Sequence, residues 1–281
     1  MSLLAVPLAI LVGLSMGLLG AGGSILTVPI LAYLLGHEKK AAIAESLGIV
    51  AGLALLAVLA RWKDKLIDWR SVLFFGPPSI VGTYLGAWVS QFVHEDVQMT
   101  LFAVVLLAAA RAMLKFDLPD PAGANGEKPA HLPWPLIILE GLGVGALTGL
   151  VGVGGGFMIV PALVLLGKVP IQRAVQTSLT LIALKSIAGF IKYIDVLDEA
   201  ELTINWWTVG AFIVLGTAGG VVGLHLRSKF DDDRLRRAFG WFILLVGVIV
   251  FAMEMWAISQ LFFAHTGVEP AIAEHAIASV R

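Results

Sequence analysis

Two glycine-rich blocks inside apolar sequence constrain this chain more than any other feature. The second block runs from Gly145 to Pro161 and reads GALTGLVGVGGGFMIVP. The first runs from Gly13 to Pro29, 132 positions earlier, and reads GLSMGLLGAGGSILTVP. Both are apolar enough to enter a membrane, but Gly149, Gly152 and Gly154 to Gly156 favour open backbone over regular helix. Two broken apolar segments at corresponding positions of two halves are the best sequence indication of a transporter's substrate site.

The composition places these blocks in a membrane. Of the 281 residues, 58% are hydrophobic and 14% are charged, and the mean hydropathy is +0.91. A soluble domain carries about 25% charged residues. The charges are missing from long runs such as 71–93 and 97–110, and about 20 apolar residues are enough for a transmembrane helix. We therefore expect an all-α polytopic membrane protein.

The same composition argues against several other functions. The net charge of −1 and the lack of a basic patch do not fit a nucleic-acid-binding protein. The chain has no cysteine, which excludes disulfides, thiolate metal sites and cysteine catalysis. The apolar runs hold no metal-binding constellation and no nucleophile pair. We therefore do not expect an enzyme, a cofactor or a bound metal. The expected partners are a small solute and membrane lipid, and a homodimer is one assembly that the sequence leaves open.

The repeat divides the chain into an N-terminal repeat at 1–116, a cytoplasmic linker at 117–135, a C-terminal repeat at 136–263 and a tail at 264–281. Ser46 matches Ser178 at the offset of 132, whereas Trp69 matches Trp206 at an offset of 137. The difference requires five extra residues in the second half. We expect them in a polar loop at 192–202.

Loop charges predict how the halves are oriented. If each glycine block makes one full crossing, the 18 lysines and arginines other than Lys185 divide nine against nine between the two sides. If each block is a pair of segments that enters and leaves on one side, they divide fourteen against four, which fits the positive-inside rule. This favours two inverted-topology repeats, each with a Gly-broken (re-entrant or discontinuous) helix pair plus three transmembrane helices. Both termini would be periplasmic.

A broken helix offers an anion site, because its second half begins with free backbone N–H groups and the positive end of the helix dipole. The alternative is that the glycines only allow close helix packing, the role we assign to Gly82, Gly86, Gly219 and Gly223. The candidate donors are the amides of Gly22, Gly23, Ser24, Gly154, Gly155 and Gly156.

The helix after each block adds polar side chains. Ser46 in the first half, and Gln176, Thr177 and Ser178 in the second, could hold an oxyanion, or their hydroxyls could bond their own helix carbonyls. Lys185 lies two helical turns after Ser178 on the same face.

Two charged residues in these helices are further candidates. A charge inside a membrane, such as Lys185, is a functional hypothesis by default. Glu45 is a candidate coupling residue, as a proton acceptor or ion ligand, or a carboxylate favoured by the start of its helix.

The paired glycine blocks and Thr177-Ser178-Leu179 resemble the TauE/SafE family of sulfite exporters, also described as anion permeases. The resemblance extends from about Leu3 to Met255. It implies export of sulfite, or a related small sulfur oxyanion or organosulfonate, across the bacterial inner membrane. Glu45-Ser46 departs from the family pattern, which usually has a second Thr-Ser here.

We therefore expect a secondary membrane transporter that holds the anion between the two breaks and works by alternating access, with one repeat rocking against the other. The chain has no ATP-binding motif. A negative cytoplasm favours anion exit by about 2.3 kcal/mol per charge per 100 mV, so export needs no coupled cation. Two alternatives stay open, an anion channel-like pathway for the same substrates and a non-transport membrane scaffold.

Overall fold

The computed structural model describes residues 4–19, 24–115, 134–156, 159, 163, 171–227 and 232–266. Gly22 and Gly23, most of the predicted linker and the tail beyond Thr266 lie outside these ranges. The described residues form helices and connecting segments and include no strand. The prediction of an all-α protein is therefore confirmed for this part of the chain.

The helices follow one another in chain order. In the first half they are α1 (Ala5–Leu19), α2 (Thr27–Pro29, continued by a π-helical turn at Ile30–Leu34), α3 (Lys39–Ala60), α4 (Trp69–Ser90) and α5 (Glu95–Lys115). In the second half they are α6 (Trp134–Val151), α7 (Ile171–Glu199), α8 (Trp206–Arg227) and α9 (Asp232–Thr266).

Five of the described helices, α3, α4, α7, α8 and α9, are long and apolar enough to cross a membrane. Of their apolar windows, those of α3 and α7 are 72% buried, whereas those of α8 and α9 are only 28% buried. The outer helices expose large apolar side chains such as Leu73, Val214 and Trp207. In water such a surface would be unfavourable, but in a bilayer it is lipid-facing. The protein is a multi-pass membrane protein with α3 and α7 at its centre.

The second half differs from the sequence-based expectation after Ile191. We predicted a polar loop at 192–202, but α7 continues to Glu199. Tyr193, Val196 and Leu197 are buried at helical spacing, and Lys192 bonds Asp195 one turn later, with Nζ 3.2 Å from Oδ2. An apolar stripe and an ion pair therefore sustain a helix in this charged sequence. Helix α3 ends at Ala60, which corresponds to Lys192, so α7 is longer than α3 by the residues from there to Glu199.

The helix pairs are related by exchange of the two halves. The most extensive packing joins α1 to α8, α4 to α6, α3 to α7 and α5 to α9. By the sequence offsets, α1 corresponds to α6, α3 to α7, α4 to α8 and α5 to α9. Exchanging the halves turns the α1–α8 pair into the α6–α4 pair and leaves the other two pairs unchanged. The outer part of each half thus packs against the other half.

Glycines bring the backbones of α4 and α6 into direct contact. A Cβ atom added at Gly145 would lie 2.2 Å from the Ser79 oxygen, and one at Gly149 would lie 2.0 Å from the Thr83 oxygen. From the other side, Cβ atoms at Gly82 and Gly86 would meet carbonyl oxygens of α6 at 2.2 and 2.1 Å. Only glycine permits backbones to approach this closely.

The same contact recurs between α1 and α8 at the corresponding positions. Added Cβ atoms at Gly13 and Gly17 would lie 1.7 and 2.2 Å from the backbone oxygens of Gly216 and Gly220. Those at Gly219 and Gly223 would meet Ile10 and Leu14 oxygens at 2.3 and 2.4 Å. The packing role assigned to Gly82, Gly86, Gly219 and Gly223 is confirmed.

The prediction of open backbone at Gly149 is wrong. This residue lies inside the regular helix α6, because the close contact with Thr83 requires a bare Cα in an intact helix. The departure from regular helix begins after Val151.

Replacing Gly145 by alanine should destabilise the protein, because the new methyl group has no space beside the α4 backbone. Overpacking of this kind typically costs about 1–3 kcal/mol, which thermal unfolding in detergent would register as a lower midpoint. Gly143, on the same helix, has nothing within 4 Å of an added Cβ. The matched Gly143→Ala variant should be as stable as the parent or slightly more stable. Equal melting of both variants would contradict the close backbone packing.

Candidate functional site

The second glycine block leaves regular helix at 152–155, and Gly156 is helical again. Gly152 and Gly155 have φ angles of +77° and +62°, in the left-handed region that favours glycine. All residues from Gly152 to Gly156 are buried. The amides of this segment are therefore removed from solvent and lie in the middle of the helix bundle.

Helix α3 holds the beginning of this segment in place. The Ser46 hydroxyl donates a hydrogen bond to the Gly152 carbonyl oxygen at 3.0 Å. A Cβ at Gly152 would lie only 2.6 Å from Ile43, so the segment passes directly over α3. Of the predicted ligand residues, Ser46 thus contacts the break itself.

The two glycine blocks meet between α3 and α7. A Cβ at Gly154 would lie 2.9 Å from the Ser24 hydroxyl oxygen, 2.7 Å from Val50 and 3.1 Å from Ile182. Val50 and Ile182 are counterparts at the offset of 132, so Gly154 lies between equivalent points of the two central helices. Ser24 is fully buried. The structure therefore brings Ser24 and Gly154 together.

Lys185 lies at the midpoint of the 29-residue helix α7 and is fully buried. Its Nζ donates to the Thr148 hydroxyl at 2.9 Å, and that hydroxyl donates to the Val144 carbonyl at 2.8 Å. A Cβ at Gly155 would lie 2.6 Å from Nζ, so the ammonium group touches the glycine segment.

The amino group of Lys185 is buried without a counter-charge in the described part of the chain. Among the described residues, no acidic side chain forms a salt bridge or hydrogen bond with Lys185. A buried charge without a counter-charge is strongly unfavourable. The arrangement of ammonium, hydroxyl and glycine backbone would be stabilised by a small anion.

Gln176, in α7, has a buried polar side chain without a hydrogen-bond partner among the described residues. Its side chain is fully buried, and neither Nε2 nor Oε1 has a hydrogen-bond partner in the described structure. Nine residues separate it from Lys185, or about 13.5 Å along the helix. The two residues therefore occupy different positions along α7.

The neighbouring hydroxyls are engaged in local contacts. The Thr177 Oγ1 accepts a hydrogen bond from the Asp68 backbone N–H at 2.9 Å. The Ser178 hydroxyl donates to the Val175 carbonyl of its own helix at 2.8 Å, as the alternative interpretation expected. The counterpart serines Ser46 and Ser178 therefore make different contacts.

Glu45 is buried within α3 and holds two other segments. Its carboxylate accepts a hydrogen bond from the Asn205 backbone N–H at 2.8 Å and bonds His37 Nδ1 at 2.5 Å. Because α3 begins at Lys39, Glu45 lies beyond the first turn, where a carboxylate gains most from the helix dipole. Its position is explained by these contacts and not by the start of the helix.

Sequence reasoning missed several residues of this region. Thr148 is a single hydroxyl in an apolar helix, and only its position beside Lys185 gives it a role. A partly buried polar cluster was not predicted either. In it, Lys39 Nζ lies 2.5 Å from Asp96 and 2.8 Å from Glu254, and the Tyr33 hydroxyl donates to Glu254. The sequence signal for this cluster was the carboxylate of Glu254 inside an apolar run.

Comparison with known proteins identifies the family. The model of the Sulfite exporter TauE/SafE family matches residues 5–250. A probable membrane transporter protein of Xylella fastidiosa is 31% identical over 88% of this chain and 93% of its own length. One from Methanocaldococcus jannaschii is 30% identical over 83% of this chain and 91% of its own length.

More distant relatives have the same description. A probable membrane transporter protein of Bacillus subtilis is 28% identical over 86% of this chain. No solved structure matches the chain. The relatives are described as transporters and not as enzymes, in agreement with the expectation from the composition. The extent of the family match and of these relatives shows that the chain belongs to the TauE/SafE family of membrane transporters.

Proposed function

We propose that this protein is a secondary transporter that exports sulfite, or a related small sulfur oxyanion or organosulfonate, with the anion held at Lys185. The observation that carries this proposal is the fully buried Lys185 ammonium beside the glycine segment, with no acidic partner among the described residues. A bound oxyanion would supply the missing counter-charge. The family match favours sulfite and its relatives as the substrate class.

The groups around Lys185 suit an oxyanion. An oxyanion has several acceptor oxygens, and the ammonium offers donors beyond the one directed to Thr148. The backbone amides of Gly154 to Gly156 are donors of the kind that bind anions at helix starts. Ser24 and Ser46 line the same segment. Gln176 would then serve as a second position nearer the start of α7.

Alternating access between inverted repeats is supported by the opposite directions of the two central helices, α3 and α7. The start of α3, at Glu45, contacts the segment after the end of α7, at Asn205. The start of α7, at Thr177, contacts the segment after the end of α3, at Asp68. The corresponding helices α3 and α7 therefore run in opposite directions, as inverted repeats require. We place the Asp68 side in the cytoplasm, because its loop carries Arg61, Lys63, Lys65 and Arg70.

The substrate position can be tested by replacing Lys185 with methionine, which keeps the length of the side chain and removes its charge. A hydrogen bond to a charged group is worth about 1.5–3 kcal/mol, so sulfite affinity of the purified protein should fall at least about tenfold. Calorimetric titration with sulfite, thiosulfate, sulfate and a short sulfonate would measure the loss and rank the substrates.

Lys192→Met is the matched control, because Lys192 lies two turns further along α7 and bonds Asp195. It should keep the parental affinity. The Lys185→Met protein should also unfold at no lower temperature than the parent, since an unpaired buried charge has been removed. Parental sulfite affinity in Lys185→Met would exclude Lys185 from the site. A parent that binds none of the four anions would exclude this substrate class.

The proposed topology can be tested with single cysteines, because the natural chain has none. Lys63 and Thr203 are exposed residues in corresponding loops, after α3 and after α7. A membrane-impermeant maleimide should label Thr203→Cys in intact cells but Lys63→Cys only after the cells are permeabilised. Labelling of both cysteines from the same side would contradict inverted repeats.

A further inference from the structure

The segments that lead into α4 and α8 are each tied to a central helix by one hydrogen bond, and the two bonds are counterparts. The Asn205 backbone N–H donates to Glu45 Oε1 at 2.8 Å. The Asp68 backbone N–H donates to Thr177 Oγ1 at 2.9 Å. Asp68 precedes Asn205 by 137 positions and Glu45 precedes Thr177 by 132, which are the offsets that relate the surrounding helices. The same contact is thus made twice, with different acceptors.

The two contacts lie at opposite ends of the helix bundle. Glu45 is near the start of α3, and Asp68 follows the end of that helix. A helix of 22 residues is about 33 Å long, enough to cross the hydrocarbon core of a bilayer. In the proposed topology the Glu45 contact closes the outer end and the Thr177 contact closes the cytoplasmic end.

Only one of the two acceptors can take up a proton in the physiological range. A threonine hydroxyl does not titrate, whereas a carboxylate does. The other face of the Glu45 carboxylate bonds His37, which is 17% exposed. Solvent protons can therefore reach the pair through the imidazole, although Glu45 itself is buried.

Among the described residues, no charged side chain other than His37 bonds Glu45. Lys39 bonds Asp96 of α5 and Glu254 of α9. The acidic side chains at the end of α7, Asp195, Asp198 and Glu199, are exposed. From α8 the contact to Glu45 is the uncharged N–H of Asn205. His37 is thus the titratable partner of Glu45 among the described residues.

We propose that these contacts are the two latches of the transport cycle and that protonation of Glu45 releases the outer one. The proposal rests on alternating access as proposed above. The charged carboxylate holds both Asn205 and His37, and protonation removes its charge and turns one oxygen into a donor. A proton that arrives through His37 lies on Oε2, so the bond from the Asn205 N–H to Oε1 weakens from a charge-assisted to a neutral one. The bond between the carboxyl and a charged His37 is lost, because both groups are then donors. With both contacts weakened, the outer end of α8 separates from α3 more readily.

The direction of the pH dependence follows from these contacts. Above the titration of Glu45 the carboxylate is charged and the outer latch holds. As the pH falls through that titration, the latch opens. A charged His37 favours the carboxylate form and delays the opening, so removing this imidazole should shift the opening to higher pH. The hydroxyl of Thr177 makes the inner latch independent of pH.

The carboxylate is not needed merely to hold the helices together. At the corresponding position the shorter Thr177 hydroxyl makes the same contact at nearly the same distance. What Glu45 adds is a titratable group and a bond to a histidine. This argues for a proton-binding role in place of a purely structural one.

The test is the accessibility of a cysteine beneath the outer latch, measured without sulfite in proteoliposomes. Ile204 is half-buried and packs against the hydrophobic core next to Asn205. Thr203 is exposed, so Thr203→Cys reports the intrinsic pH dependence of maleimide labelling. The Ile204→Cys rate divided by the Thr203→Cys rate should rise at least about threefold between about pH 8 and about pH 5, the range in which histidine and carboxylate pairs titrate.

Four variants, each made in the Ile204→Cys and Thr203→Cys proteins, distinguish opening of the outer latch from a general loss of stability. Glu45→Gln and Glu45→Thr, which cannot take up a proton, should each give a ratio that does not change with pH. His37→Gln, at a partly exposed position, should move the rise to higher pH. Thr177→Val should leave the pH response intact. A flat ratio in the parent, or a persistent response in Glu45→Gln, would overturn the proposal.

The outcome is independent of the proposed substrate. If sulfite binds and is transported while the ratio stays flat, the latch proposal fails and the transport proposal stands. If the ratio responds to pH as expected while no sulfite binds, the latch stands and the substrate assignment fails.

Discussion

Direct backbone contact between helices of the two halves is the constraint on which the rest of this structure depends. Gly145 and Gly149 let α6 lie against α4, and Gly13 and Gly17 let α1 lie against α8. In lipid there is little hydrophobic gain from helix association, so close packing of small residues must supply it. Each glycine block is therefore fixed by the opposite half, and neither half can complete its own core alone.

This interlocking explains where the glycine segment ends up. With α6 held against α4, the chain after Val151 is directed between α3 and α7. There the backbone of residues 152–155 leaves regular helix, which is tolerated at membrane depth only where protein or water satisfies the freed groups. Ser46 satisfies one carbonyl, and Lys185 and Thr148 lie beside Gly155.

The two halves share a frame but differ in the groups they place on it. The second half contributes Lys185, Thr148 and Gln176, whereas their counterparts in the first half are Leu53, Met16 and Ala44. Conversely, the first half has Glu45 where the second has Thr177. The frame supports two matched end contacts, while the differences put the buried Lys185 in the second half and the titratable acceptor Glu45 in the first.

The sequence by itself determined the membrane class and the duplicated plan, because apolar length and glycine spacing are local properties. It also selected Lys185, since a charge in an apolar run stands out. Tertiary structure alone decided that Gly149 packs within a helix, that α7 extends to Glu199 and that Thr148 meets Lys185. It also decided that Glu45 and Thr177 make matched contacts. These features depend on residues far apart in the chain, and their energies come from packing and hydrogen bonds between helices, which no local pattern encodes.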